Sequence, residues 1–92
     1  MPQNRIQTIT LVERPWGWFE TVSEAPGHKI KRIGVLPGEQ ISLQKHGKRA
    51  EHWVVVRGRA HITRGAETFE LGENQSTYIP LGVKHRIANL DA

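Results

Sequence analysis

Turn-forming residues cut this 92-residue chain into short runs rich in Val, Ile, Thr and aromatics. Pro26-Gly27, Pro37-Gly38, Gly58, Gly65, Gly72 and Pro80-Leu81-Gly82 supply the breaks. Each offers a preset φ or ready access to positive φ. No stretch shows apolar residues at helical spacing with a cap and a stop. Short strands between regular turns fold into a sandwich or a barrel, so the chain is read as all-β. The pattern predicts strands over 6–13, 18–23, 28–36, 40–44, 51–57, 60–63, 68–71, 76–79 and 85–90. The length suits one domain, 1–92, with a modest core.

Side chains alternate across a strand, so parity says which of them meet. Gln44 and His46 share a face. Glu51, Trp53 and Val55 share another, and so do His85, Ile87 and Asn89. Gln44, His46, Glu51 and His85 together offer an amide oxygen, two imidazoles and a carboxylate beside apolar neighbours. That donor set suits one divalent ion with open coordination positions. Zn is the expected ion, with Mn, Co or Ni as substitutes, because mixed nitrogen and oxygen donors discriminate weakly among them. Singly, either histidine would read as a hydrogen-bonded strand residue. The combined spacing makes the metal reading the stronger one.

The opposite faces carry Ile41 and Leu43 on one strand and Val54 and Val56 on another. Strands apolar on both faces are usually covered on both. A dimer or another covering element is therefore expected, and a homodimer is the partner state assigned.

Composition narrows the chemistry. The chain has no cysteine, which removes disulfides, thiolate metal sites and cysteine nucleophiles. There is no signal-peptide pattern and no long apolar run, and a cytoplasmic protein is expected without a membrane partner. The formal net charge of +4 admits an anionic partner. Lys45, Lys48 and Arg49 form a basic cluster without an interleaved aromatic platform, so no nucleic-acid partner is expected. There is no Gly-rich nucleotide loop either.

The two spaced blocks resemble the paired motifs of the cupin superfamily, which implies a small antiparallel jelly-roll barrel carrying a divalent metal. The resemblance is most specific to the type II mannose-6-phosphate isomerase domain. It is carried by Arg14-Pro15-Trp16-Gly17, Lys31-Arg32-Ile33, Ser42-Leu43-Gln44, Arg49 through Val56, Glu73-Asn74-Gln75-Ser76, and Tyr78 through Gly82 followed by His85-Arg86. In that family the domain often follows a mannose-1-phosphate guanylyltransferase domain. Two departures stand out. Gly47 and Lys48 occupy positions where the family commonly has histidines. The chain also ends at Ala92, soon after Asn89, and is expected to lack the family's last strands.

The resemblance implies interconversion of mannose 6-phosphate and fructose 6-phosphate by a metal-dependent aldose–ketose isomerase. A metal on the carbonyl and hydroxyl oxygens would stabilise the enediolate. The substrate phosphate needs cations, and Arg49 and Lys31 are the candidates. Arg49 has the parity of Glu51, and its guanidinium can bind phosphate through two parallel hydrogen bonds. Lys31 has the parity of Ile33 and Val35, which read as inward. The competing reading is a non-catalytic metal-containing cupin that binds a sugar or sugar nucleotide. A redox cupin is a third reading, disfavoured because Gln44 stands where an imidazole-rich site would have His.

Overall fold

The computed structural model describes residues 11–45, 47 and 49–91. Among them there are eight strands and no helix. These are β1 (Leu11–Arg14), β2 (Gly17–Ala25), β3 (His28–Val35), β4 (Glu51–Val54), β5 (Ala60–Arg64), β6 (Glu67–Leu71), β7 (Ser76–Ile79) and β8 (His85–Ala88). The chain divides after Gly34 into two compact units. The predicted all-β, antiparallel character is present among the described residues, and the first five positions of the strand predicted over 6–13 lie outside them.

The first unit is a three-stranded sheet in the order β1-β2-β3. Leu11 pairs with Glu20 and Arg14 with Gly17, so Pro15 and Trp16 form the tight turn between them. Gly34 is needed inside β3, because an added Cβ there would collide with the Trp18 ring. Glu20 is buried and holds Arg32 Nε at 2.8 Å.

The second unit contains a two-stranded sheet, β4-β7, and a three-stranded sheet, β6-β5-β8. β5 and β6 form a hairpin in which Arg64 faces Glu67 across the two-residue turn Gly65-Ala66. Gly65 takes φ +61, the conformation such a turn demands at its first central position. The apolar core of this unit is Ile41, Ile62, Leu71, Ile79 and Ala88. Burying side chains such as Ile62 and Ile79 contributes about 1.5–3 kcal/mol each.

The predicted strand over 40–44 takes a different form. It runs antiparallel to β8 through isolated bridges, Gln40 to Ala88 and Gln44 to His85. Residues 41, 42 and 43 on one side therefore span what 86 and 87 span on the other. One extra residue is accommodated opposite Arg86, as in a β-bulge. Ile41 N–H donates to Ile87 O at 3.0 Å, so the register places Ile41 on the face of His85. Ile41 is accordingly buried at 6% exposure while Leu43 is 45% exposed. The shared outward face predicted for these two residues is corrected, because the bulge breaks the alternation on which it rested. Val54 and Val56 do point outward, with 56% and 84% exposure.

The run predicted over 51–57 stops as a strand at Val54. Val55 still exchanges hydrogen bonds with the other side, donating to Gln75 O and accepting from Asn74 N–H. Asn74 has φ +67, which turns the partner strand away and ends the ladder.

Candidate metal centre

β8 brings His85 into contact with two neighbouring segments. On one side Gln44 and His85 exchange both backbone hydrogen bonds, at 3.0 and 2.8 Å. On the other side His85 lies opposite Arg64 of β5. Residues directly opposite in an antiparallel pair project to the same face. Gln44 and His85 are thus joined by a ladder contact that sequence spacing alone does not reveal.

The His85 side chain is fully buried. Its Nδ1 lies 2.9 Å from Val83 O. A carbonyl can only accept, so Nδ1 carries the proton, and in the neutral ring Nε2 keeps its lone pair. That arrangement orients an imidazole for metal ligation. Nε2 faces Glu51 Oε2 at 3.5 Å. Two donors held roughly 2.1 Å from one ion lie roughly 3.0–3.4 Å apart at octahedral or tetrahedral angles. The Glu51–His85 separation is close to that spacing.

Glu51 is placed by β4. Its Oε1 accepts a hydrogen bond from Trp53 Nε1 at 2.8 Å, and its Oε2 is 3.4 Å from Arg49 Nε. The Trp53 indole meets the His85 ring edge-on, with centroids 5.3 Å apart at 75°. Arg49 precedes β4, outside the reach of strand parity, and its guanidinium stands beside Glu51 with its side chain 56% exposed.

The structure brings Glu51, His85 and Arg49 together, with Gln44 on the backbone ladder beside His85. His46 lies outside the described residues. Among the described residues, no three His, Cys, Asp or Glu converge on a point. The expected set includes His46 and an amide, which that description does not cover. The donor chemistry of Gln44, Glu51 and His85, with His85 oriented by Val83, fits a divalent ion.

Lys31 belongs to the first unit, and its predicted inward face is corrected. Every residue from His28 to Ile33 is exposed, and the Lys31 ammonium lies 4.8 Å over the Phe19 ring. Its apolar neighbours explain the misreading. Ile30 has the opposite parity to Ile33 and Val35, so the run never alternated cleanly.

Trp53 and Arg64 were not singled out as site residues. Parity placed Trp53 beside Glu51, but an indole on an apolar strand reads first as packing. Arg64 Nη1 donates to Thr77 Oγ1 at 2.7 Å and to Tyr78 O at 3.3 Å, tying β5 to β7. Nothing in sequence spacing links residues 64 and 77. A broad open cleft lined by Arg64, Glu67, Thr68, Phe69, Ser76 and Thr77 does not include Glu51 or His85. Its charged pair, Arg64 and Glu67, neutralises itself at 2.9 Å.

Residues 2–92 match the family described as mannose-6-phosphate isomerase C-terminal. The chain belongs to that family. It is 55% identical over 78 residues to the xanthan biosynthesis protein XanB of Xanthomonas campestris pv. campestris, a match spanning 85% of this chain and 17% of XanB. It is 50% identical over 78 residues to the mannose-1-phosphate guanylyltransferase ManC of Salmonella typhimurium, spanning 85% of this chain and 16% of ManC. The chain thus spans less than a fifth of these relatives' length.

Two solved structures share the fold. The protein TT1209 from Thermus thermophilus superposes with a TM-score of 0.72 at 15% identity, over 96% of this chain and 76% of that one. A cupin-2 domain containing protein from Shewanella frigidimarina gives 0.56 at 18% identity, over 97% and 76%. The fold of this mannose-6-phosphate isomerase C-terminal domain is the cupin fold.

The relatives correct the expected function. They carry the names of a guanylyltransferase and a polysaccharide biosynthesis protein, and the domain is one small part of each. The reading of this chain as a stand-alone isomerase of mannose 6-phosphate is overturned. The site residues specified a kind of domain, and a domain does not specify the polypeptide in which it works. No helix among the described residues is long and apolar enough to cross a membrane.

Proposed function

We propose that this chain is the C-terminal phosphosugar module of a longer mannose-1-phosphate guanylyltransferase-type protein. In that setting it supplies a divalent-ion site that receives a phosphorylated mannose. The observation that carries the reading is the approach of Glu51 Oε2 to His85 Nε2 at 3.5 Å, with His85 oriented through Nδ1. Family membership over residues 2–92 gives that geometry its chemical context.

Gln44, His46, Glu51 and His85 are the ligands in this reading, and Zn is the ion we assign. A bound ion would supply Lewis-acid polarisation of sugar oxygens. Arg49, beside Glu51 and half exposed, is positioned to meet a phosphate approaching that edge. Enzymatic turnover is assigned to the longer polypeptide, in the cytoplasm. The exposed apolar residues Leu43, Val54, Val56 and Tyr78 support a homodimer.

Calorimetry tests the reading directly. The ion-loaded chain should bind mannose 6-phosphate and bind mannose much more weakly. Equal affinity for the two sugars, or none for either, would refute the phosphosugar module.

A further inference from the structure

We infer that Trp53 is a positioning residue that selects which oxygen of Glu51 is presented to the divalent ion. The inference rests on the metal reading given above and adds a role to a residue that holds no ligand atom. The indole N–H is a donor only, so Trp53 can neither ligate a cation nor accept a proton.

Three contacts carry the inference. Trp53 Nε1 donates to Glu51 Oε1 at 2.8 Å. The other oxygen, Oε2, is the one near His85 Nε2, at 3.5 Å. The same indole abuts the His85 ring at 5.3 Å between centroids. One side chain therefore touches two of the proposed ligands, by a hydrogen bond to the first and an edge contact to the second. With Oε1 engaged by Trp53, and Oε2 also 3.4 Å from Arg49 Nε, the carboxylate is turned so that Oε2 faces His85. A freely rotating carboxylate would present either oxygen, or both. Fixing it through Oε1 favours one-oxygen ligation and leaves other positions of the ion open for a sugar.

The local structure explains why this residue can do it. Glu51 and Trp53 are two apart on β4, so they share a face at short reach. Thr77 of β7 lies directly opposite Trp53 in the ladder and is buried. That cross-strand pairing limits where the indole can move.

The test uses the 92-residue chain, Zn²⁺ and the Trp53→Phe variant. Phe keeps an aromatic edge against His85 and removes only the N–H. Zn²⁺ affinity is measured by competition with a chelator, and folding is checked by circular dichroism and thermal melting. Trp53→Phe should stay folded and lose roughly 10- to 100-fold in Zn²⁺ affinity, the range for partners that orient a ligand. Tryptophan emission should change on Zn²⁺ addition in the wild type, and that change should be lost in Trp53→Phe. Glu51→Gln, with the indole retained, should lose it too.

If Zn²⁺ binds wild type and Trp53→Phe equally, the role of Trp53 is overturned while the metal site stands. If Zn²⁺ does not bind the wild type, the metal reading fails and takes this inference with it. If Trp53→Phe does not fold, the emission response of Glu51→Gln decides. A response equal to that of the wild type would overturn the Trp53–Glu51 link.

Discussion

Replacing Arg64 by Met should destabilise the second unit more than its surface position suggests. Arg64 Nη1 donates to Thr77 Oγ1 at 2.7 Å and to Tyr78 O at 3.3 Å. The first bond is short and reaches a buried threonine. A hydrogen bond from a charged donor contributes about 1.5–3 kcal/mol, and its loss leaves that hydroxyl without this partner. The second bond is long and adds less. The ion pair with Glu67 is screened, since the Glu67 side chain is 65% exposed, and contributes about 0–1 kcal/mol. The guanidinium also lies 4.9 Å over Phe69, which contributes about 0.5–1 kcal/mol.

These terms overlap, and a net loss of about 2–4 kcal/mol is expected. For a domain of this size that is a fall in Tm of roughly 8–30 °C. Arg64→Lys should recover less than half, because one ammonium cannot reach Thr77, Tyr78 and Glu67 together. Thermal melting of Arg64→Met, Thr77→Val and the double variant would isolate the cross-sheet bond. A coupling of about 1–2 kcal/mol is expected for contacting residues. A Tm loss under about 4 °C, or no coupling with Thr77, would refute the view that Arg64 holds the sheet bearing Glu51 to the sheet bearing His85.

Three further outcomes follow from the site and surface. Elemental analysis of protein purified without chelator should find a divalent ion that is lost in His85→Ala and Glu51→Ala, and unchanged metal content in either variant would contradict the ligand assignment. Arg49→Ala should weaken mannose 6-phosphate binding by about 1–2 kcal/mol, or roughly 5- to 30-fold, because the side chain is half exposed. It should not alter binding of mannose, and equal losses on both sugars would mean a structural role. Light scattering should give a dimer that Val54→Lys plus Val56→Lys converts to a monomer, and a wild-type monomer mass across the micromolar range would contradict the dimer.

Much of the strand pattern was legible because turns and alternation are local. Residues 76–79 were read with the observed bounds, and 60–63, 68–71 and 28–36 within one residue at either end. The segment 40–44 was not, because a bulge depends on what lies opposite, and that partner is more than 40 positions away. The early end of β4 has the same origin, since Asn74 turns the other side of the ladder. At the site, the proximity of Glu51 and His85 was anticipated from donor chemistry and spacing. The Nδ1 contact to Val83 O and the Trp53–Glu51 bond were not, since both depend on side-chain orientation. Lys31 was read as inward because parity assumes a covered face, whereas every residue from His28 to Ile33 is exposed.

The extra residue opposite Arg86 bears on how this domain tolerates changes in length. Gln40 faces Ala88 and Gln44 faces His85, so the bulge takes up slack between two fixed points. Deleting Ser42 or Leu43, both exposed, would let the ladder run evenly, keep Ile41 in the core and still leave Gln44 opposite His85. The far side of β8 has no such reserve. His61 through Arg64 pair one-to-one with Ala88 through His85. A deletion there slides every pair by one step and turns the following side chains to the opposite face. One edge of the site can therefore absorb a lost residue, while the other must keep its count.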